Sequence, residues 1–359
     1  MIDVTKPFLP PIEEYQSLVN DIWSRNWLTN NGPLVRNLEI ELKKHLELDH
    51  LLFTTNGTIA LQLAIRALNL TGEIITTPFS YVATTSSIVW ENCRPVFADI
   101  DRNRLTIDPT KIEALITKET TGILATHVYG IPCHVEEIEV IAKKYSLKVI
   151  YDAAHAFGTQ YKNKSLLDYG DVSTLSTHAT KLFHTIEGGA VISKDAEVIK
   201  RMELLRNFGH DGAYKFNGVG INGKNSEFHA AMGVINLKHI DAILADRIRV
   251  SQHYDSRLLS LNIRRPEIPK STRYNHSYYP IIMENEEILL KVSHSLQANG
   301  ISTRRYFFPA LDTLDYVIKA NNPVCDNIAP RVLCLPMYFN LLRSDIDQIC
   351  DIILKEMKN

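Results

Sequence analysis

The sequence predicts an α/β fold: a mostly parallel sheet of about seven strands covered on both faces, followed by a smaller α+β domain. Three observations predict it. Short apolar runs alternate with helical stretches through most of the chain. Those runs read as strands buried on both faces, which is the habit of parallel sheets. After residue 240 the rhythm changes to longer, more charged helical patterns. A chain of 359 residues is too long for one small core and suits two domains of unequal size. The predicted division is a large domain over 1–240 and a small one over 241–359.

The elements follow in order. Leu51 to Thr55 reads as a strand, and Thr58 to Leu68 as a helix with Ile59, Leu61, Leu63, Ile65 and Leu68 apolar. Further strands are predicted at Glu73–Thr77, Pro95–Ala98, Gly122–Ala125, Lys148–Tyr151, Val172–Ser176 and Gly189–Ser193. Val135 to Tyr145 is a helix between two of them. One long helix is expected from Glu227 to Leu259, then a polar segment from Asn262 to Arg273. Ser277–Met283 reads as a strand, Glu286–Ala298 as a helix closed by Gly300, and Ser344–Met357 as the last helix.

Composition excludes several classes of function. The net charge is −2, so no global basic field exists to hold nucleic acid or an anionic membrane. The first residues lack the basic and apolar regions of a signal peptide, and no apolar run is long enough to span a membrane. Five scattered cysteines without a CxxC pair suggest reduced thiols and a cytoplasmic location.

Four stretches carry candidate chemistry. Asp152 directly follows a buried-looking strand in Tyr151-Asp152-Ala153-Ala154-His155. Ligands of open α/β sheets sit at such strand ends, where a carboxylate can hold a cationic ring nitrogen. The same aspartate would serve as a helix N-cap. Lys181, in Ser176-Thr177-His178-Ala179-Thr180-Lys181, sits in a low-charge, packed setting. Desolvation there favours the neutral, nucleophilic amine. A surface lysine at a turn fits the pattern too. Thr55-Asn56-Gly57-Thr58 joins strand to helix and offers backbone amides to a phosphate, or else forms a plain Asn-Gly turn with Thr58 as N-cap. Tyr81, after another strand, is placed to stack on a flat ring or to pack in the core.

In this order the four stretches resemble the DegT/DnrJ/StrS-type sugar aminotransferases. The resemblance extends through Trp27-Leu28-Thr29-Asn30-Asn31-Gly32-Pro33, Pro95-Val96-Phe97-Ala98-Asp99, Gly220-Ile221-Asn222-Gly223-Lys224 with Glu227, and Gly300 to Arg305. It implies the aspartate-aminotransferase (type I) fold and pyridoxal 5′-phosphate (PLP) as cofactor. Lys181 would carry the cofactor as a Schiff base and shuttle the proton. Asp152 would hold the ring nitrogen protonated, His155 would face the phenolic oxygen, and Tyr81 would stack on the ring. Gly57, Thr58 and Ser176 would bind the phosphate. Asn222 would reach it from the neighbouring subunit of a homodimer. His178 would lie near the sugar. Arg304-Arg305 reads as a solvated pair or, in an α/β enzyme with a diphosphate substrate, as a pair of which one, taken as Arg305, grips a phosphate.

Other signals carry less. Gly218-Val219-Gly220-Ile221-Asn222-Gly223 matches GxGxxG but follows no clear strand, so a dinucleotide reading is poor. His178 and His184 lack the companions of a metal site. The histidine before Lys181 resembles family members acting at C4, whereas members acting at C3 more often carry tyrosine-proline there. The expected reaction moves an amino group from L-glutamate to dTDP-4-dehydro-6-deoxyglucose. The expected product is dTDP-4-amino-4,6-dideoxyglucose, for surface polysaccharide (O-antigen, lipopolysaccharide) synthesis. The galacto epimer and a C3 keto sugar are the alternatives. A sugar dehydratase of this fold would have histidine in place of Lys181, and a non-enzymatic sensor would not need so complete a site.

Overall fold

The computed structural model describes residues 1–261 and 263–358; Asn262, the first residue of the predicted polar segment, and Asn359 lie outside the described residues. Its centre is a seven-stranded sheet. The strands are β1 (Leu51–Thr54), β2 (Glu73–Thr76), β3 (Arg94–Phe97), β4 (Thr120–Thr126), β5 (Lys148–Asp152), β6 (Val172–Ser176) and β7 (Gly189–Ile192). Their spatial order is β1-β7-β6-β5-β4-β2-β3. β7 pairs antiparallel with both β1 and β6, and the other pairs are parallel, so β7 alone runs against the rest.

The double burial follows from the pleat, which sends successive side chains to opposite faces. Phe53, Ile75, Ile123, Val149, Tyr151, Leu175 and Ala190 point to one face. There they meet helices Pro33–Leu46, Val135–Tyr145 and Glu227–Lys238. Leu52, Ile74, Leu124, Ile150, Val172 and Val191 point to the other, against helices Gly57–Ala67 and Ala196–Arg206. Helix Pro33–Leu46 shows the sequence logic: Leu34, Leu38, Leu42 and Leu46 recur every fourth residue and are buried. Its N-terminus is capped from a distance. The buried Glu227 carboxylate accepts the amides of Leu34 and Val35, each at 2.9 Å, and pairs with Arg25 at 3.2 Å. A Cβ on Gly32 would lie 2.6 Å from that carboxyl carbon, so a larger residue there would push the capping carboxylate aside.

The single helix expected over Glu227–Leu259 is two helices, Glu227–Lys238 and Ile240–Leu258. They meet at His239, whose φ of −100° and ψ of 1° leave the helical region. The His239 ring bonds Glu14 at 3.2 Å, which ties the corner to the N-terminal helix Ile12–Arg25. After the corner the chain enters a separate apolar cluster. Val250, Tyr254 and Leu258 pack there with Leu289, Val292, Ile346, Ile349 and Ile353. The last five lie on helices Glu286–Ala298 and Arg343–Lys358. Tyr279–Ile282 pairs antiparallel with Val332–Leu335, a strand the sequence pattern did not reveal. The N-terminal residues join this part of the molecule: the Ile2 amide donates to Gly300 O and the Met337 amide to Val4 O. Among the described residues, no helix is long and apolar enough to cross a membrane.

Candidate active site

The carboxyl ends of β5 and β6, the start of helix Gly57–Ala67 and the turn after β2 surround a cavity of about 470 Å³. Of the residues singled out from the sequence, Lys181, Asp152, His155, Tyr81, Gly57, Thr58, Ser176 and His178 all line it. Asn222 and Arg305 do not.

Lys181 stands on the loop between β6 and β7. Its Nζ lies 3.5 Å from the Tyr278 hydroxyl. Burial lowers its pKa, and the charge of Asp152 works in the opposite direction. Asp152 ends β5 and is buried. Its Oδ2 accepts from the Thr84 hydroxyl at 2.7 Å and its Oδ1 from the Ala154 amide at 3.1 Å. Burial raises this carboxyl's pKa, while both hydrogen bonds and Lys181 oppose the rise.

His155 is held as one tautomer. Its Nδ1 accepts the Tyr129 amide at 3.2 Å, so in the neutral ring the proton sits on Nε2. The ring stacks on Phe307, with centroids 5.6 Å apart and planes 8° apart. Burial, then Lys181, pushes its pKa well below the usual value and keeps it neutral.

Helix Gly57–Ala67 is capped by Asn56, not by Thr58: the Asn56 side chain accepts the Ile59 amide at 2.8 Å. This leaves the first amides, those of Gly57 and Thr58, without partners in the chain among the described residues. Two glycines bring backbone close here. A Cβ on Gly57 would lie 2.9 Å from the Ser176 Cβ, and one on Gly189 would lie 2.5 Å from the Asn56 carbonyl. The result is a narrow, amide-lined notch at a helix N-terminus, suited to a phosphate.

Two sequence expectations fall elsewhere. Arg305 turns from the cavity to bond Glu286 at 2.6 Å and the Pro330 carbonyl at 2.9 Å, and it lies over Phe308. Its neighbour Arg304 is the arginine in the wall. Asn222 bonds Lys224 at 2.9 Å, on a segment that exposes Tyr214, Phe216 and Val219. The sequence reading also missed Tyr278, Tyr306 and Phe307, which enter from far along the chain, and Ser80. Ser80 and Thr84 lie in a stretch where the aromatic Tyr81 drew the attention.

The DegT/DnrJ/EryC1/StrS aminotransferase family model matches residues 11–354. The chain belongs to that family. As a DegT/DnrJ/EryC1/StrS aminotransferase it is 42% identical to a dTDP-4-amino-4,6-dideoxy-D-glucose transaminase of Shigella dysenteriae, over 99% of each chain. It is 39% identical to one of Escherichia coli, again over 99% of each. A GDP-perosamine synthase of Vibrio cholerae is 29% identical over 98% of each. Among solved structures, DesI in the presence of its TDP-sugar product superposes with a TM-score of 0.94 at 30% identity, covering 99% of this chain and 93% of that one. The enzyme is thus a PLP-dependent sugar aminotransferase with the type I fold. Its cavity fits PLP on the structure's own terms: partnerless amides and tight glycines make an anion notch, and a buried carboxylate and a lysine share the same space.

Proposed function

We propose that this aminotransferase moves the amino group of L-glutamate to C4 of dTDP-4-dehydro-6-deoxy-D-glucose, giving dTDP-4-amino-4,6-dideoxy-D-glucose. The observation that carries the reading is the full-length identity of 42% and 39% to two transaminases of that name. Ser176-Thr177-His178-Ala179-Thr180-Lys181 supports it, with His178 in the cavity wall beside Thr180. We assign the product to surface polysaccharide synthesis in the cytoplasm.

Bound PLP supplies a reactive carbonyl and a ring that accepts the electrons left when a neighbouring carbon loses its proton. The chain does the rest. The Lys181 amine would take that proton from the amino-bearing carbon and return it at the cofactor's carbonyl carbon, on the far side of the shared nitrogen, in this direction for glutamate and in reverse for the keto sugar. Burial favours the neutral amine that this work needs. Asp152 would hold the ring nitrogen as a cation, and the His155 Nε2–H would donate to the phenolic oxygen. Tyr81 covers a ring face. The Gly57 and Thr58 amides and the Ser176 hydroxyl hold the phosphate. Arg304, instead of Arg305, meets the anionic part of a substrate.

The enzyme is proposed to act as a homodimer in which Asn222 completes the partner's phosphate site. Exposed Tyr214, Phe216 and Val219 near it, and exposed Trp23 on the N-terminal helix, support a covered surface. The division into 1–240 and 241–359 is proposed on the separate apolar cluster that begins after the His239 corner.

Incubation with the keto sugar and glutamate should yield an aminated sugar whose H4 couplings in NMR show an equatorial amine. Absence of aminated product overturns the reaction, and small couplings assign the galacto epimer. Mixing Lys181→Ala with Asn222→Ala subunits should restore about a quarter of wild-type activity through hybrid dimers with one intact site. No recovery would overturn the shared site.

A further inference from the structure

Three buried hydroxyls stand in line behind Asp152. Thr84 Oγ1, on helix Val82–Trp90, donates to Asp152 Oδ2 at 2.7 Å. Ser80 Oγ, in the turn after β2, lies 2.8 Å from Thr84 Oγ1 and 3.0 Å from Thr126 Oγ1. Thr126 is the last residue of β4 and sits opposite Asp152 in the β4–β5 register. Ser80 is 2% exposed, Thr84 0% and Thr126 1%, so the line is shielded from bulk solvent. Among the described residues, none of the three hydroxyls has another side-chain partner.

Counting protons fixes the direction of the line. An ionised carboxylate only accepts, so Thr84 gives its single proton to Asp152. Ser80 must then donate to Thr84, and Thr126 to Ser80. We propose that Thr126, Ser80 and Thr84 form a one-way donor chain that holds Asp152 ionised and so sets the charge of the cofactor's ring nitrogen. Each donor polarises the next, which makes the last bond to the carboxylate stronger than an isolated one. The chain offsets the loss of hydration that burial imposes on Asp152. It ties the ends of β2, β4 and β5 to one helix, so the carboxylate is aimed as well as charged. Thr84, Ser80 and Thr126 are positioning residues in this scheme, since Asp152 alone meets the ring. The inference rests on the proposed pairing of Asp152 with the ring nitrogen.

The test is ¹⁵N NMR of the holoenzyme loaded with ring-labelled cofactor, together with the cofactor dissociation constant and kcat. Asp152→Asn should move the ring-nitrogen signal to that of a neutral pyridine. Ser80→Ala and Thr126→Val should each move it part of the way. They should weaken cofactor binding and lower kcat by about threefold to tenfold, with KM for the keto sugar unchanged. Thr126→Ser, which keeps the hydroxyl and loses only the methyl, should restore the wild-type signal. If Asp152→Asn leaves the signal in place, the ring-nitrogen pairing itself is wrong. If Asp152→Asn moves it but Ser80→Ala and Thr126→Val do not, and their kcat stays within about twofold, the chain only fills space.

Discussion

At Lys181 two influences oppose each other: burial favours the neutral amine and Asp152 favours the ammonium. The residue must pass between both forms, and neither influence removes the other. Lys181→Ala is expected to cut 2-oxoglutarate formation from glutamate by about a thousandfold or more. Its melting temperature should stay near wild type, because among the described residues the amine has only the long contact to Tyr278. Gly57→Ala tests the notch. The new Cβ would press on the Ser176 Cβ, so cofactor titration should show about tenfold weaker binding. At this scale the sequence disclosed residues whose type alone suggests chemistry, such as Lys181, Asp152 and Gly57. It hid Ser80 and Thr84, because a hydroxyl shows its role only through its neighbours. It also favoured Arg305 over Arg304, because two adjacent arginines look alike until one is seen bonded to Glu286.

At the scale of elements, helices are started by side chains near and far. Asn56 caps its own helix, and Asn56→Ala should cost about 1 kcal/mol of stability, read from chemical denaturation. Glu227 caps a helix nearly two hundred residues away in the chain, by carboxylate bonds to Leu34 and Val35. Glu227→Ala should cost more, about 3 kcal/mol, because it also leaves Arg25 without that partner. All seven strands were legible, since each is a short apolar run between turn residues. What the pattern could not show was the corner at His239. Apolar residues continue on both sides of it, and only φ and ψ there, with the bond to Glu14, reveal two helices. Val332–Leu335 was hidden for the opposite reason: four residues preceded by short helical turns carry too little period to read.

Over the whole molecule, histidines buried without charge set the response to acid. His127 is fully buried, stacked on Tyr151, with its pKa lowered by burial to about 3, and His276 is lowered to about 4. Both folded values lie below the ordinary 6.5. Their stabilisation is therefore complete above that value and is lost as the pH falls towards the folded values, because the unfolded chain takes up protons first. Stability should drop as the pH falls from about 6.5 towards those folded values, and His127→Phe should flatten the slope by about 1.4 kcal/mol per pH unit. An unchanged slope would remove His127 from the account. The reversed direction of β7 has a consequence of its own. Because β7 returns against β6, with Ser176 facing Gly189, the loop that bears Lys181 leaves and re-enters the sheet at the same edge. Thr177 and Thr185 lace its base together, with hydroxyls 2.7 Å apart and the Thr185 amide on the Thr177 carbonyl. The loop is a staked pedestal, and the travel that catalysis asks of the amine is left to the swing of one lysine side chain.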